Sequence, residues 1–330
     1  MYENFYNLTA TPFQLTPDSR FFFGSKGHSK AIAHLNYGLA QGEGFIVITG
    51  EVGAGKTTLV EWLRSQMDES AFTIARVSTT QVSGNDLFRL AMAGFGLVDE
   101  HADKATLLHR FEGVLRTHQE QGRRCLLVVD EAQNLSMPAL EELRMLSNIT
   151  VDGRTSLQTI LLGQPQFRRM LADPAMEQLR QRVLTSYHLG PLSQDETRAY
   201  IEHRMLAVGW NGDPHWDDAA FEAVYQHTGG IPRRINRLAS RILLYGVLEE
   251  VHTITPAIVD QTAVELTQDL DAGQESLPPL TPPTQPATPH TAEYASEYAS
   301  DLAARVTALE QQMAQREQVF KRLTQMLGAR

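Results

Sequence analysis

Short apolar runs alternate with helix-like stretches over the first 190 residues. Between the runs, apolar residues recur every three or four positions, as at Leu107, Phe111 and Leu115, which is the spacing of an amphipathic helix. Strands that alternate with helices predict an α/β fold with a mostly parallel five-stranded sheet covered on both faces. The predicted strands are Phe45–Thr49, Phe72–Val77, Cys125–Val129, Gln158–Leu162 and Thr185–Leu189.

The pattern becomes entirely helical after residue 190. Ser193 and Glu196 have the spacing of a capping box and predict a helix that extends to about Val208. Further helices are predicted at Asp217–His227, Pro232–Glu250 and Pro256–Leu266. We therefore predict an α/β domain over residues 1–190 and a small all-helical lid domain over residues 191–268.

The end of the chain shows two further patterns. Residues 269–292 are predicted to be an acidic linker, because six of the 15 prolines lie between Gly273 and Thr291 and few apolar residues accompany them. Residues 293–330 are predicted to form a coiled-coil-like helix that binds a second copy or a partner helix, with docking on the globular part or a membrane surface as alternatives. Its heptad seam is interrupted once, at Arg316, and consists otherwise of Leu302, Val306, Leu309, Met313, Phe320, Leu323 and Leu327.

The amino-acid composition excludes several classes of protein. The 330 residues are 42% hydrophobic and 21% charged, as in soluble globular proteins. A single cysteine, Cys125, excludes an intramolecular disulfide framework and a cysteine-rich zinc site. No apolar run approaches the roughly 20 residues of a membrane span, and the N-terminus lacks the pattern of a signal peptide. These features predict a cytoplasmic protein without a direct membrane span.

The net charge of −10 reflects one region of the chain. Ten of the 39 acidic residues lie between Ile242 and Ala304, where no Lys or Arg occurs, so the rest of the chain is neutral. Net charge alone therefore does not exclude a local nucleic-acid patch.

A phosphate-loop motif follows the first predicted strand. Gly50 to Thr57 fits the pattern Gly-x-x-x-x-Gly-Lys-Thr and leads into a predicted helix, Lys56–Met67. The backbone N–H groups of such a loop and the positive end of the helix bind phosphate. We expect Lys56 to reach the β- and γ-phosphates of ATP and Thr57 to ligate Mg²⁺. The predicted nucleotide-binding residues are Gly50, Glu51, Val52, Gly53, Ala54, Gly55, Lys56, Thr57 and Thr58.

Polar residues follow two other predicted strands. Asp130 and Glu131 end an apolar strand, at the edge where open α/β sheets bind ligands. We expect Asp130 to hold Mg²⁺ through water, and Glu131 to orient and polarise the attacking water, as a hydrolysing ATPase requires. Gln164 follows the fourth strand and is expected to contact the γ-phosphate or that water.

Three arginines are further candidates for catalysis. Arg233 follows Gly229-Gly230-Ile231-Pro232 at the start of a helix, from which it could fold onto the γ-phosphate and couple lid position to the nucleotide. Arg182, or else Arg180, precedes the last strand and could act across a subunit interface. For each of the three, an ordinary surface or ion-pair role is the alternative.

The order of these motifs resembles that of AAA+ ATPases, and more specifically of the GspA/ExeA/MshM-type secretion ATPases. Within that group the sequence most resembles the ATPase found with exosortase (PEP-CTERM) and exopolysaccharide export loci. The stretches that carry the resemblance are Phe5–Leu8, Pro12-Phe13, Pro17-Asp18, Phe21–Gly24, Gly50–Thr58, Asp130–Leu135, Leu140–Asn148 and Gly230–Asn236.

The resemblance implies a cytoplasmic ATPase that forms a homo-oligomeric ring or filament and serves envelope biogenesis. It also implies that the N-terminal aromatic stretch and Gly24–His28 lie near the adenine. ExeA-like members continue into a membrane span and a peptidoglycan-binding domain, where this sequence has the linker and the heptad helix instead. We therefore expect an envelope or export protein to bind the C-terminal helix and recruit the chain to the inner membrane.

Two other functions fit the same motifs. Arg233, Arg237 and Arg241 are spaced by four, with Arg234 beside them, and proteins that track nucleic-acid phosphates use such stripes. This pattern would suit a DNA-acting AAA+ ATPase of the transposition-regulator or initiator type. The stripe could instead pair with acids, and the acidic linker would repel nucleic acid. A signalling ATPase would bind ATP and scarcely hydrolyse it. Hydrolysis is the preferred interpretation because every hydrolytic group is present.

Overall fold

The computed structural model describes residues 2–14, 16, 18–68, 70–78, 83–99 and 101–271. The predicted heptad helix of residues 293–330 and the linker from residue 272 onward lie outside them. The helices are α1 (Tyr2–Phe5), α2 (Lys26–Gln41), α3 (Lys56–Gln66), α4 (Gly84–Gly94), α5 (Lys104–Glu120), α6 (Met137–Leu146), α7 (Pro165–Leu171), α8 (Glu177–Arg180), α9 (Gln194–Leu206), α10 (Asp218–Thr228), α11 (Pro232–Leu248) and α12 (Pro256–Asp271). The strands are β1 (Phe45–Gly50), β2 (Phe72–Ser78), β3 (Arg124–Asp130), β4 (Thr150–Val151), β5 (Arg154–Thr155), β6 (Leu157–Gly163), β7 (Val183–Leu189), β8 (His215–Trp216) and β9 (Thr253–Ile254).

The central sheet has five strands in the order β2-β3-β6-β1-β7, and every neighbouring pair is parallel. This confirms the predicted α/β class and the mostly parallel sheet. Alternate residues of β1 enter different cores: Phe45 and Val47 pack with α4 to α7, whereas Ile46 and Ile48 pack with α2 and α3. Because both faces are covered, the strands appear in the sequence as continuous apolar runs.

The helices after β7 share a third core with the start of the chain. The side chains of Tyr6, Phe13 and Phe21 belong to the same buried cluster as residues of α9 to α12. The Tyr6 hydroxyl donates to the Val251 carbonyl at 2.8 Å, which ties the N-terminal segment to the end of α11. The proposed boundary at residue 190 stays a prediction, but the N-terminal residues pack with the helical part.

The helical elements begin and end close to the predicted positions. The capping box at the start of α9 is present: Ser193 Oγ accepts from the Glu196 N–H, and the Glu196 carboxylate accepts from the Ser193 N–H. Helix α12 continues to Asp271, past the predicted linker start at residue 269, because no helix breaker occurs before Gly273. Within the described ranges, no helix combines the length and apolar character needed to cross a bilayer.

A close backbone contact joins the exit of β7 to the start of α11. The Leu192 N–H donates to the Gly230 carbonyl at 2.9 Å. Gly230 has a φ of 70°, and a Cβ there would lie 2.0 Å from the Leu192 carbonyl oxygen. Only glycine fits this conformation and this spacing. The contact fixes α11 so that its first turn lies at the end of β1.

Candidate nucleotide-binding site

The carboxyl ends of three adjacent strands form the floor of the site. In the sheet, β3, β6 and β1 are neighbours, so Asp130, Gly163 and Gly50 end at one edge. The predicted phosphate loop leads from β1 into α3, whose first residue is Lys56. Parallel sheets bind ligands at this edge, and the sequence motifs converge there as predicted.

The phosphate loop requires glycine at two positions with left-handed backbone. Gly53 has a φ of 82° and Gly55, which caps α3, has a φ of 97°. A Cβ on Gly53 would lie 2.2 Å from Cβ of Arg233, and one on Gly55 would lie 3.0 Å from Nε2 of His28. The loop is therefore packed closely against Arg233 of α11 at Gly53 and against His28 of α2 at Gly55.

Lys56 places a buried positive charge at the centre of the loop. The residue is 6% exposed, and Nζ donates to the carbonyls of Gly50 (2.8 Å) and Glu51 (3.0 Å). Burial lowers the pKa of Lys56, while the negative charges of Glu131, Asp130 and Glu51 oppose that shift. An anionic phosphate in the cleft would further favour the charged ammonium.

Thr57 and Asp130 present oxygen atoms side by side. Thr57 Oγ1 donates to Asp130 Oδ2 at 2.9 Å, and Asp130 is 5% exposed. These hard oxygen donors fit Mg²⁺, which takes one or two protein ligands and completes its shell with water and substrate phosphate. No group of three or more His, Cys, Asp or Glu side chains with metal-site geometry occurs among the described residues.

Arg76 on β2 is a neighbour of Asp130 that no sequence pattern indicates. Its Nη2 donates to Asp130 Oδ2 at 2.9 Å, and its Nη1 pairs with Glu61 Oε1 of α3 at 2.6 Å. The same Asp130 oxygen therefore accepts from both Thr57 and Arg76. An arginine within a strand gives no sequence signal for this role, because the contact depends on the pairing of β2 with β3.

Glu131 is held by two glutamine side chains. Its backbone is left-handed, with φ 54° and ψ 41°, which is uncommon for a non-glycine residue and turns the chain sharply after β3. Gln133 Nε2 and Gln164 Nε2 donate to Glu131 Oε2 at 2.5 and 3.0 Å, and the Gln164 N–H donates to Gln133 Oε1 at 2.9 Å. Gln164, predicted to contact the γ-phosphate or water, here contacts the Glu131 carboxylate.

The predicted lid arginine lies directly over the phosphate loop. Pro232 opens α11, as expected of proline in the first turn, and the next residue is Arg233. The Arg233 N–H donates to the Gly53 carbonyl at 3.1 Å, and its side chain is exposed at the cleft. Any shift of α11 relative to the loop must therefore move or break this contact.

The other two predicted arginines lie away from the cleft. Arg182 Nη1 donates to the Ser147 carbonyl at 3.4 Å, and the Arg182 carbonyl accepts from the Phe45 N–H at the start of β1. Arg180 is exposed and pairs with Glu177. Neither residue is among those that line the cleft. Their assignment as fingers that act on a neighbouring subunit stays a prediction.

The cleft has a volume of about 290 Å³ and two chemically distinct ends. The end formed by the phosphate loop and Glu131 is polar. The other end is aromatic and is formed mainly by the N-terminal segment and α9. The residues that line this aromatic end include Phe21, Phe22, Phe23, His28, Tyr200, Arg204 and Asn236.

His28 supports the phosphate loop from behind as a neutral ring. Its Nδ1 lies 2.7 Å from Ser25 Oγ, and Phe22 packs edge-on against the ring and stacks on Trp62 of α3. Burial lowers the pKa of His28 to about 4, although the Glu196 carboxylate opposes this shift. The imidazole is therefore uncharged near neutral pH.

A buried arginine joins the aromatic end to the N-terminal segment. Arg204 Nε donates to the Pro12 carbonyl at 2.6 Å, and the guanidinium lies over the Phe21 ring, 4.7 Å from its centroid. Arg204 Nη1 donates to the Tyr200 hydroxyl at 2.7 Å, which in turn lies 2.9 Å from Asn236 Oδ1. No sequence pattern marks Tyr200 and Arg204 as site residues, because their partners lie up to 192 residues away.

Comparison with known folds is consistent with this geometry. Residues 39–171 match the AAA domain family. The structure is similar to that of the ORC2 protein of Aeropyrum pernix in its ADP form, with a TM-score of 0.59 and 18% identity over 79% of this chain and 73% of that one. It is also similar to Cdc6p of Pyrobaculum aerophilum, with a TM-score of 0.57 and 16% identity over 76% and 71% of the two chains. The chain has the fold of an AAA+ P-loop ATPase.

The chain also has a sequence relative in Aeromonas hydrophila. The chain is 35% identical over 274 residues to General secretion pathway protein A of Aeromonas hydrophila. The match covers 83% of this chain and 50% of that protein, so the chain spans about half the length of the relative. The match extends well beyond the AAA domain region of residues 39–171.

Proposed function

We propose that this protein binds ATP with Mg²⁺ and hydrolyses it to ADP and phosphate. The observation that carries the proposal is the convergence of Lys56, the Thr57–Asp130 pair and Glu131 on one cleft, under Arg233. A phosphate loop alone would bind phosphate, but a carboxylate held beside it by two amides is suited to orient water. Mg²⁺ held by Thr57 and Asp130 would neutralise charge on the transferred phosphoryl group.

Each side chain has a definable task in this reaction. Lys56 exchanges its two carbonyl partners for phosphate oxygens, which keeps its buried charge compensated. Glu131 accepts a hydrogen bond from the attacking water and aligns it. Gln133 and Gln164 hold that carboxylate in place. Arg233 follows the phosphates, so that α11 and the helices packed on it respond to the nucleotide.

Phosphate release by the purified protein tests the proposal. We expect Mg²⁺-dependent turnover of ATP, and we expect Lys56→Ala to abolish nucleotide binding, because the loop would lose its only buried ammonium. Lys30→Ala, at an exposed position of α2, is the matched control and should behave as the parent protein. Tight ATP binding by the Lys56→Ala protein would rule out the phosphate-loop assignment. Binding without turnover would favour the signalling alternative.

We propose further that the ATPase acts as a homo-oligomer, ring or filament, with Arg182 or Arg180 reaching a neighbour's nucleotide. Arg180 ends α8, Arg182 immediately precedes β7, and both lie outside their own cleft, which suits a group that acts in trans. Arg182→Ala should lower turnover without lowering ATP affinity. Mixing it with Glu131→Gln protein should restore part of the activity; no restoration at any ratio would contradict the trans assignment.

The cellular role that we propose is assembly or operation of a bacterial envelope export system, of the exosortase or exopolysaccharide type. The similarity to General secretion pathway protein A supports this role. We propose that nucleotide-dependent lid closure is transmitted to an export protein bound by residues 293–330, which recruits the cytoplasmic ATPase to the inner membrane. Pull-down with Glu131→Gln protein, compared with the same protein cut before Glu293, should yield envelope proteins only with the longer chain.

One observation favours the DNA-acting alternative. Arg234 and Arg237 are exposed on α11, and no acidic partner is found for them among the described residues, whereas Arg241 is half-buried and has a partner. An exposed arginine pair could contact nucleic-acid phosphates. ATP-dependent recovery of DNA in the same pull-down, without envelope proteins, would establish this function instead.

A further inference from the structure

A directed hydrogen-bond relay lies in the aromatic end of the cleft. Arg204 can only donate hydrogen bonds, so the Tyr200 oxygen accepts from Arg204 Nη1. The Tyr200 hydroxyl hydrogen is then available to Asn236, whose Oδ1 lies 2.9 Å away. The carbonyl side of the Asn236 amide must therefore face Tyr200. The guanidinium thus determines which way the asparagine amide points.

The opposite side of this amide remains for a ligand. Asn236 is 7% exposed and lines the cleft. No acceptor in the described part of the chain bonds to its Nδ2 group. A rotation of the amide would bring Nδ2 against the Tyr200 hydroxyl and leave that hydroxyl without its acceptor. The relay therefore presents an N–H donor to the cleft and excludes presentation of the carbonyl oxygen.

The position of Asn236 assigns this donor to the base rather than to the phosphates. Asn236 lies one turn along α11 from Arg233, which contacts the phosphate loop at Gly53. Its partner Tyr200 packs against Phe23, with ring centroids 5.8 Å apart. With phosphates on the loop, the base of a nucleotide must occupy this aromatic end.

We propose that Asn236 is the base-specificity residue of this site and selects adenine over guanine, with Tyr200 and Arg204 as positioning residues. The inference rests on the proposed function, since it concerns the same nucleotide. The ring nitrogen N1 of adenine is an acceptor, whereas guanine and hypoxanthine carry N1–H. Where the Asn236 amide meets the N1 position of the base, a fixed N–H donor therefore pairs with adenine and opposes the N1–H of the other two bases.

The relay also explains why the N-terminal segment lies beside the cleft. Arg204 donates to the Pro12 carbonyl through Nε and, at 3.4 Å, to the Gln14 carbonyl through Nη2. One buried guanidinium therefore orients the base-reading amide and holds the segment that leads to the aromatic residues. Base selection and N-terminal docking depend on the same side chain.

Competition binding with ATP, GTP and inosine triphosphate tests the proposal. The parent protein should bind ATP roughly tenfold or more tightly than the other two, which should behave alike. Asn236→Asp keeps an acceptor for Tyr200 but has no N–H, and its second oxygen can accept from guanine N1–H. It should lose about tenfold in ATP affinity and bring the ATP-to-GTP ratio to one or below.

Tyr200→Phe is the critical second variant because Asn236 stays in place. Without the hydroxyl the amide can rotate, so the preference for ATP should shrink although the donor is still present. Gln226→Glu, at an exposed position of α10, adds the same charge as Asn236→Asp and should change nothing. Thermal unfolding of each variant reports whether it is folded. If Asn236→Asp does not fold, the Tyr200→Phe variant still tests the proposal.

The outcomes separate this inference from the proposed function. Equal affinities for all three nucleotides in the parent protein, or a ratio unchanged in both variants, would overturn the base assignment and leave ATP hydrolysis intact. Absence of triphosphate binding that depends on Lys56 would remove the proposed function itself. A preference that shrinks in Tyr200→Phe and disappears in Asn236→Asp supports the relay.

Discussion

The two ends of the cleft are built in different ways. At the phosphate end, Lys56 bonds to carbonyls five and six residues away, within one loop whose conformation depends on two glycines. At the aromatic end, where we propose that the base lies and which we call the base end, Arg204 bonds to Pro12, 192 residues away. The proposed phosphate binding thus depends on local backbone geometry, whereas the proposed base binding depends on tertiary packing.

The difference has an energetic counterpart. The phosphate end concentrates left-handed backbone at Gly53, Gly55 and Glu131, together with buried charge, and such features persist only when the surrounding structure supports them. The base end is aromatic and belongs to the apolar cluster of α9 to α12. Substitutions should therefore affect chemistry at one end, and stability or selectivity at the other.

Among variants that still bind nucleotide, the largest effect is expected at Glu131. Glu131→Gln removes the carboxylate that orients water, so turnover should fall by about a hundredfold or more. ATP affinity and the ATP-to-GTP ratio should stay as in the parent protein, because the base end is untouched. Steady-state phosphate release and nucleotide binding measure the two quantities. Glu120→Gln, exposed at the end of α5, is the control; a changed base preference in Glu131→Gln would contradict the independence of the two ends.

The backbone contact between Leu192 and Gly230, which fixes the start of α11, is tested by substituting two adjacent glycines. In Gly230→Ala the new Cβ would meet the Leu192 carbonyl at 2.0 Å in a left-handed conformation, whereas Cβ of Gly229→Ala, at φ 59°, meets nothing within 4 Å. We expect the free energy of unfolding to fall by about 3 kcal/mol or more for Gly230→Ala and by about 1 kcal/mol for Gly229→Ala. Equal losses in denaturant titrations would show that the clash is relieved elsewhere.

The same contrast explains what the sequence could predict. The five strands, the phosphate loop and Asp130–Glu131 follow from contiguous patterns, and the structure has the predicted parallel sheet. The short hairpin of β4 and β5 has a local signal, Asp152-Gly153 with positive φ at both residues, that the apolar pattern overlooks.

Residues that act only through distant contacts were beyond reach of pattern analysis. Arg76 becomes a partner of Asp130 because β2 pairs with β3, and Tyr200 becomes part of the cleft because α9 packs beside α11. The contact of Gln164 with Glu131 depends likewise on β6 lying next to β3. Sequence supplied the residue types at strand ends, but tertiary packing decides which of them meet.

The pH dependence of the free energy of unfolding tests the environment of His28, which packs against the phosphate loop. The pKa of His28 is lowered from 6.5 to about 4 in the folded protein, so between these values the unfolded chain binds a proton that the folded chain does not. Stability should therefore fall as the pH drops from 6.5 to 4, by at most about 3 kcal/mol from this residue.

The contribution of His28 is isolated by comparison with two variants. His28→Gln should flatten the pH dependence of the free energy of unfolding between pH 6.5 and 4 relative to the parent protein. His109→Gln, at a position whose side chain is 89% exposed on α5, should leave the parent slope unchanged. Identical slopes for His28→Gln and the parent would show that protonation of the His28 ring does not lower the free energy of unfolding.

The smallest effect, about tenfold in turnover, is expected from Gln164→Ala. Gln133 still donates to the same Glu131 oxygen at 2.5 Å, so the carboxylate loses only one of two constraints. Gln133→Ala should cost a similar factor, with ATP affinity unchanged in both, and Gln226→Ala should have no effect. The backbone N–H of Gln164 survives in Gln164→Ala and still donates to Gln133 Oε1, so each single variant keeps one amide donor on the Glu131 carboxylate. The double variant keeps neither donor and should therefore lose more than the product of the single losses. Strictly multiplicative losses would mean that Gln133 and Gln164 act on the Glu131 carboxylate independently, and that neither amide compensates for the loss of the other.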